Sequence, residues 1–241
     1  MLRSIVTVLF VAFYLILSTP LMLYVTVLRC FNKEKADRIS LHNVCWAFGW
    51  VNRLAGMKIE KEGIENIPKD TACLFVANHQ SILDVTVTYP MMIDRTGFIA
   101  KDNLKKVPLL NIWMSKLYCF FLDRKSKRAG LDMILYSIEK IKEGISIFIF
   151  PEGTRNRDNL NEVAEFKSGA VKMASKTGCP IVPVAIKGTR PVLEDHFPFL
   201  KKGNVKVKFG EPIIIDELDE ENKKHLADYC HEKVQRLLDT M

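Results

Sequence analysis

No CxxC or CxH spacing occurs among the six cysteines of the chain, at positions 30, 45, 73, 119, 179 and 230. That excludes a zinc knot. Several lie in apolar runs, so they read as buried thiols of a reducing compartment and not as a disulfide frame. Carboxylates and histidines do not gather with ligand spacing, so no metal site is expected. No serine or cysteine stands in a nucleophile elbow, which argues against covalent catalysis of the hydrolase type. Recognised nucleic-acid-binding motifs are missing. There is no internal repeat and no low-complexity linker, and 241 residues suffice for one sizeable core with an appendage.

Charge is present but uneven. The net +7 includes eight Lys or Arg against two Asp between Lys101 and Arg128, and an acid-free group of Lys201, Lys202, Lys206 and Lys208. Anionic lipid headgroups, phosphate-bearing substrates and nucleic acid all fit such a surface. Interleaved Leu, Ile and Trp speak against nucleic acid, and a plainly solvated basic face is the alternative. Hydrophobic residues at 48% and charged ones at 26% describe neither a disordered chain nor a polytopic membrane protein.

Residues Ile5 to Leu28 carry no charge and are broken only by Pro20. At helical rise they reach about 36 Å, enough for a hydrocarbon core of about 30 Å. The run is long for a signal peptide and no small-x-small site follows it. Arg29, Lys33, Lys35 and Arg38 outnumber Arg3 ahead of it. The body of the chain is therefore expected on the cytoplasmic side of the cell membrane. Pro20 also allows a kinked helix lying in one leaflet. His42 to Leu54, with Trp46, Phe48 and Trp50, is too short to cross and suits either a membrane interface or the core. Residues 1–57 are thus read as a membrane-associated helical segment ahead of a catalytic domain at 58–241.

The remainder alternates. Extended runs are expected at Lys58–Glu62, Ala72–Ala77, Gly97–Ala100, Leu117–Leu122, Ile145–Phe150, Ile181–Ile186 and Val205–Phe209. Helical patterns fall between them, notably Ala129–Glu143 ahead of Gly144, and about 220–238 with Asp219 as N-cap. This predicts an α/β fold, a mostly parallel sheet flanked by helices.

Chemistry concentrates in two places. Ala77-Asn78-His79-Gln80-Ser81-Ile82-Leu83-Asp84 comes after an apolar run, and Ser81 with Asp84 makes an S-x-x-D helix start. Five residues of ideal helix turn through about 500°. His79 must therefore precede the helix, with Asp84 in its first turn reaching back to one ring nitrogen and leaving the other free as a base. A first-turn acid beside a surface turn histidine is the plainer alternative. The second place is Pro151-Glu152-Gly153-Thr154-Arg155, after another extended run. Gly153 permits close backbone approach, and Arg155 offers a fork for phosphate. Lys167 and the N–H groups after it could hold an anion as well.

Asn78-His79-Gln80-Ser81-Ile82-Leu83-Asp84 resembles the NHxxxxD motif of the glycerolipid acyltransferases, and Phe150-Pro151-Glu152-Gly153-Thr154-Arg155 resembles their FPEGTR motif. Phe121-Leu122-Asp123-Arg124 and Val182-Pro183-Val184 resemble the second and fourth blocks, in family order, so the likeness spans roughly residues 58 to 215. In size and in its single leading apolar segment the chain is most similar to the bacterial 1-acyl-sn-glycerol-3-phosphate acyltransferases. One stretch departs: Leu109-Leu110-Asn111-Ile112-Trp113-Met114 stands where the family often has Trp-Gly or glycine-rich sequence.

The resemblance implies an N-terminal helical motif that docks on the lipid bilayer. It implies His79 as general base and Asp84 as its orienter. Arg124, Arg155 and Lys167 would lie at the acceptor phosphate, with Glu152, Gly153 and Thr154 shaping the acceptor site. The expected reaction moves a fatty acyl group from acyl-CoA or acyl-carrier protein to the sn-2 hydroxyl of lysophosphatidic acid, without a cofactor. Other acceptors (glycerol-3-phosphate, another lysophospholipid, an amino-lipid alcohol), a thioesterase, and a non-enzymatic membrane anion binder are the competing readings.

Overall fold

The computed structural model describes residues 1–157 and 159–241. Each of the seven runs expected to be extended contains a strand: β1 (Met57–Glu62), β2 (Leu74–Ala77), β3 (Thr96–Lys101), β4 (Phe120–Leu122), β5 (Ser146–Ile149), β6 (Ile181–Lys187) and β7 (Gly203–Phe209). The run expected from Leu117 is extended only from Phe120, because Leu117 ends a helix and Tyr118 turns the chain with a φ of 59°. They form one sheet in the order β1-β7-β6-β2-β5-β3-β4. Every neighbouring pair is parallel except β6 with β7. Pro183 is tolerated in β6 because it lies where the β7 ladder ends; its carbonyl accepts from Gly210 N–H at 2.8 Å and only the return donor is missing.

The helices are α1 (Leu2–Leu17), α2 (Thr19–Phe31), α3 (Lys33–Ala55), α4 (Leu83–Thr88), α5 (Leu110–Lys116), α6 (Lys127–Lys142), α7 (Lys172–Thr177), α8 (Glu220–Lys224) and α9 (Leu226–Asp239). They cover both faces of the sheet. On one, Phe75, Phe98, Phe148, Val184 and Val207 pack with residues of α2, α3, α4 and α5. On the other, Leu74, Val76, Ile147 and Ile149 pack with α6, α7 and α9. Asp219 caps α8 as expected, accepting from Asn222 N–H at 2.7 Å, but the single closing helix expected there is broken at His225.

The N-terminal run is not one straight helix. α1 and α2 meet at 45°, and no single helix among the described residues is long and apolar enough to cross a membrane. The break follows from Pro20, which lacks an N–H and sits in the first turn of α2. Both helices leave much apolar surface uncovered: Val8, Phe13 and Phe31 are 66%, 60% and 84% exposed. α3 absorbs the segment His42–Leu54 and has two characters. Ala36, Ser40, Val44, Ala47, Val51 and Ala55 are buried at helical spacing, while Trp46 and Trp50 stay exposed.

The two basic groups look different once folded. Lys206 pairs with Glu60 at 2.9 Å and Lys208 with Glu62 at 3.3 Å, across the register of β1 and β7. Lys116 is buried and donates to Thr26 Oγ1 at 2.5 Å, so it does not belong to a basic face.

Candidate active site

β5, β2 and β6 are adjacent and parallel, so their carboxyl ends converge on one edge of the sheet. Open α/β sheets place their chemistry there. His79 leaves the end of β2, Pro151–Arg155 comes after β5, and the segment from Gly188 comes after β6.

The expected turn geometry is present. His79 lies ahead of α4, and its Nδ1 is 2.8 Å from Asp84 Oδ2. Ser81 Oγ accepts from Leu83 N–H at 3.0 Å, while Asp84 Oδ2 takes the N–H groups of Ser81 (2.9 Å) and Gln80 (2.8 Å). Only half of the expected S-x-x-D start forms: the acid reaches back to the Ser81 N–H, but Asp84 N–H goes to the Ser81 carbonyl at 3.2 Å and Ile82, not Ser81, is the N-cap of α4. Asp84 is fully buried, and its Oδ1 accepts from Thr189 Oγ1 at 2.5 Å. Four hydrogen-bond partners fix this buried carboxyl group in one orientation. It therefore places the imidazole proton on Nδ1. Nε2 has no protein partner among the described residues, and the side chain keeps 11% of its exposure. The Phe150 ring stacks on the imidazole at 4.1 Å between centroids and 20° between planes, fixing the ring plane.

Glu152 supports the same turn from β5. Its Oε1 accepts from His79 N–H at 2.8 Å, and Oε2 is buried without a partner among the described residues. Burial, assisted by the nearby Asp84 charge, pushes its carboxyl up to about 8. Burial thus favours the neutral form of Glu152, which eases repulsion between the two acids.

The expected cations gather around the second loop. Gly153 has φ +72°, and a Cβ there would lie 2.5 Å from Lys167 Nζ, so the ammonium rests against the glycine backbone. Burial first, and then the neighbouring Arg155 charge, hold the Arg124 guanidinium below its ordinary value. Arg124 and Arg155 are thus close in space although 31 positions apart in sequence. Like charges brought together in this way suit an anionic ligand. Arg155 is also held from behind: Nη1 donates to Glu194 Oε1 at 2.7 Å. Thr154 lies exposed on the rim. All eight expected site residues therefore fall on this edge, in two groups: His79, Asp84 and Glu152, then Gly153, Thr154, Arg155, Arg124 and Lys167.

Sequence reading missed Thr189, Glu194, Asn156 and the role of Asn78. Thr189 and Glu194 bond to partners 105 and 112 positions away. Glu194 Oε1 also accepts from Ile82 N–H at 2.9 Å. Asn156 N–H donates to the His79 carbonyl at 2.7 Å. The available signal was the apolar run Val182-Pro183-Val184: a strand running parallel beside β2 must deliver its downstream loop to the same edge.

A family profile described as Acyltransferase matches residues 58–187. Among curated relatives, the chloroplastic 1-acyl-sn-glycerol-3-phosphate acyltransferase of Arabidopsis thaliana is 37% identical over 158 residues, 65% of this chain and 44% of the relative. A Brassica napus counterpart is 35% identical, over 67% of this chain and 47% of its own. The chain thus spans less than half the length of these two plant proteins. The 1-acyl-sn-glycerol-3-phosphate acyltransferase of Borreliella burgdorferi is 32% identical over 78% of this chain and 74% of its own. Among solved structures, a 1-acyl-sn-glycerophosphate acyltransferase from Thermotoga maritima superposes with a TM-score of 0.75 at 28% identity, covering 99% of this chain and 98% of that one.

Proposed function

The chain belongs to the Acyltransferase family, and we propose that it transfers a fatty acyl group from acyl-CoA or acyl-carrier protein to the sn-2 hydroxyl of 1-acyl-sn-glycerol-3-phosphate, yielding phosphatidic acid. The observation that carries this reading is the His79–Asp84 pair at 2.8 Å, with Nε2 left without a partner among the described residues, on the edge that also bears Arg124, Arg155 and Lys167. A base alone would serve many hydroxyls. A base beside clustered cations suits a hydroxyl on a phosphate ester.

His79 Nε2 takes the sn-2 hydroxyl proton as the oxygen bonds to the thioester carbonyl carbon. Asp84 stabilises the imidazolium that forms. The C–S bond then breaks, and the departing thiolate takes the proton from Nε2. General-base assistance of this type contributes about 10²–10⁴-fold, with alignment of the two substrates adding to it. Arg124, Arg155 and Lys167 hold the acceptor phosphate, while Gly153 lets it approach the backbone. The thioester is already activated, so the scheme calls for no cofactor.

The exposed apolar surface of α1 and α2 and the Trp46–Trp50 face of α3 support seating in one leaflet of the cell membrane, with the sheet on the cytoplasmic side. A bent pair of helices fits that seat better than a straight span.

The test is thiol release by purified protein in detergent, given acyl thioester with 1-acyl-sn-glycerol-3-phosphate, its dephosphorylated analogue, glycerol-3-phosphate, or no acceptor. Release should depend on a phosphorylated acceptor and be fastest with the lysolipid. His79→Ala should lower it at least about 100-fold. Release without any acceptor would make the protein a thioesterase, and undiminished turnover by the variant would remove His79 from the chemistry.

A further inference from the structure

The segment 188–202 between β6 and β7 reaches the active site at one end and the first helix at the other. Thr189 and Glu194 make the contacts to Asp84, Ile82 and Arg155 described above. Beyond them the chain reads Phe197-Pro198-Phe199-Leu200-Lys201-Lys202. Phe197 is 77% exposed and Phe199 44%. Leu200 N–H donates to Ser4 Oγ in α1 at 2.7 Å, so the tip is tied to the start of that helix. There Leu2 and Ile5 are exposed as well. Arg3 and Lys202 converge over the backbone of Gly56, and Lys201 is exposed beside them. The tip and the start of α1 thus bring exposed phenyl, aliphatic and basic side chains to one side of the molecule.

We propose that this tip is a second membrane-inserting element: Phe197 and Phe199 enter the acyl-chain boundary while Arg3, Lys201 and Lys202 meet anionic headgroups. The inference rests on the reading of α1 and α2 as a bilayer seat and extends it to a segment far away in sequence. Three observations favour a bilayer over a protein partner. The aromatic residues flank Leu200, which is bonded to the exposed apolar start of α1. Aromatic side chains with lysines directly after them make the pattern of an interfacial anchor. Two phenyl rings left in water cost free energy that partial burial in lipid recovers. The inserting tip and the groups bonded to Asp84 and Arg155 share one short loop, so seating it also steadies the site at the membrane surface, where a lysolipid acceptor resides.

The experiment is flotation of the full chain with vesicles of phosphatidylcholine, alone or mixed with phosphatidylglycerol. Wild type should float. Phe197→Ser/Phe199→Ser should weaken partitioning about tenfold or more on both compositions. Lys201→Glu/Lys202→Glu should weaken it only where phosphatidylglycerol is present. Both double variants should turn over a water-soluble short-chain acceptor at the wild-type rate, which also reports folding. Wild-type protein that fails to float defeats the bilayer seat itself. Wild type that floats with both double variants floating equally well leaves the α1–α2 seat intact and overturns insertion of the tip. Loss of rate confined to carrier-protein donors, with flotation unchanged, also overturns it and makes the patch a carrier-docking surface.

Discussion

Asp84 accepts four hydrogen bonds, from His79, Gln80, Ser81 and Thr189, and only the last comes from a distant strand end. The local three hold Oδ2, and Thr189 alone holds Oδ1. Removing its hydroxyl while keeping its shape leaves one oxygen of a buried carboxylate unpaired, a loss of about 1.5–3 kcal/mol for a bond to a charged group. On the proposed mechanism that loss falls on the transition state, in which the imidazolium needs Asp84 most. Thr189→Val should therefore lower kcat about tenfold and leave the KM for the acceptor within about twofold, and Thr189→Ser should restore the rate. Steady-state kinetics with the acceptor varied at saturating thioester checks this. A change in KM with kcat unmoved would mean that Thr189 shapes binding and not the base.

Strands were legible in the sequence because each is a short apolar run with β-branched or aromatic residues between turn signals, a property of neighbours in the chain. The His79–Asp84 pairing was legible for the same reason, since the two residues lie five positions apart on one turn into a helix. The contacts out of reach were those that depend on strand order. Glu194 could not be joined to Arg155, nor Thr189 to Asp84, until β6 was known to lie beside β2. The acid-free lysines of β7 likewise found Glu60 and Glu62 only through the β1–β7 register. Asn78 shows the same rule in a backbone role. It extends the β2–β6 pairing one step past the ladder, accepting from Ile186 N–H and donating to Ile186 O, both at 2.8 Å. Asn78 is 2% exposed and Ile186 is fully buried, so no water can take over these bonds. Asn78→Ala should then destabilise the protein by about 2–4 kcal/mol, the cost of two unpaired buried groups. Urea unfolding tracked by circular dichroism would measure it. A loss below about 0.5 kcal/mol would show that the two strand ends do not depend on this side chain.

The α2 half of the bent pair is tied to α3 and to the α5–β4 connection by a charge network as well as by apolar packing. Asp37 of α3 takes hydrogen bonds from Arg29 of α2 and from the Tyr118 hydroxyl, and Arg29 also donates to the Lys116 carbonyl at 2.8 Å. The helices proposed to sit in the bilayer thus have a set orientation relative to the catalytic edge, and the 188–202 loop spans the same distance by a second route. In that loop Glu194 is the hinge between acceptor and base, because one oxygen serves both Arg155 and the Ile82 N–H lying between His79 and Asp84. The pair is partly exposed, at 38% for the Arg155 side chain and 15% for Glu194, so its worth lies less in stability than in aiming the guanidinium. A double-mutant cycle separates these possibilities. Arg155→Ala should raise the acceptor KM about tenfold, and Glu194→Ala about fivefold through the arginine it no longer holds. Combined, they should cost little more than Arg155→Ala alone, since Glu194 has nothing left to aim. Full additivity would mean that the carboxylate reaches the acceptor by some other path, and the coupling between phosphate site and base would then have to run through the Gly153–Lys167 side of the loop.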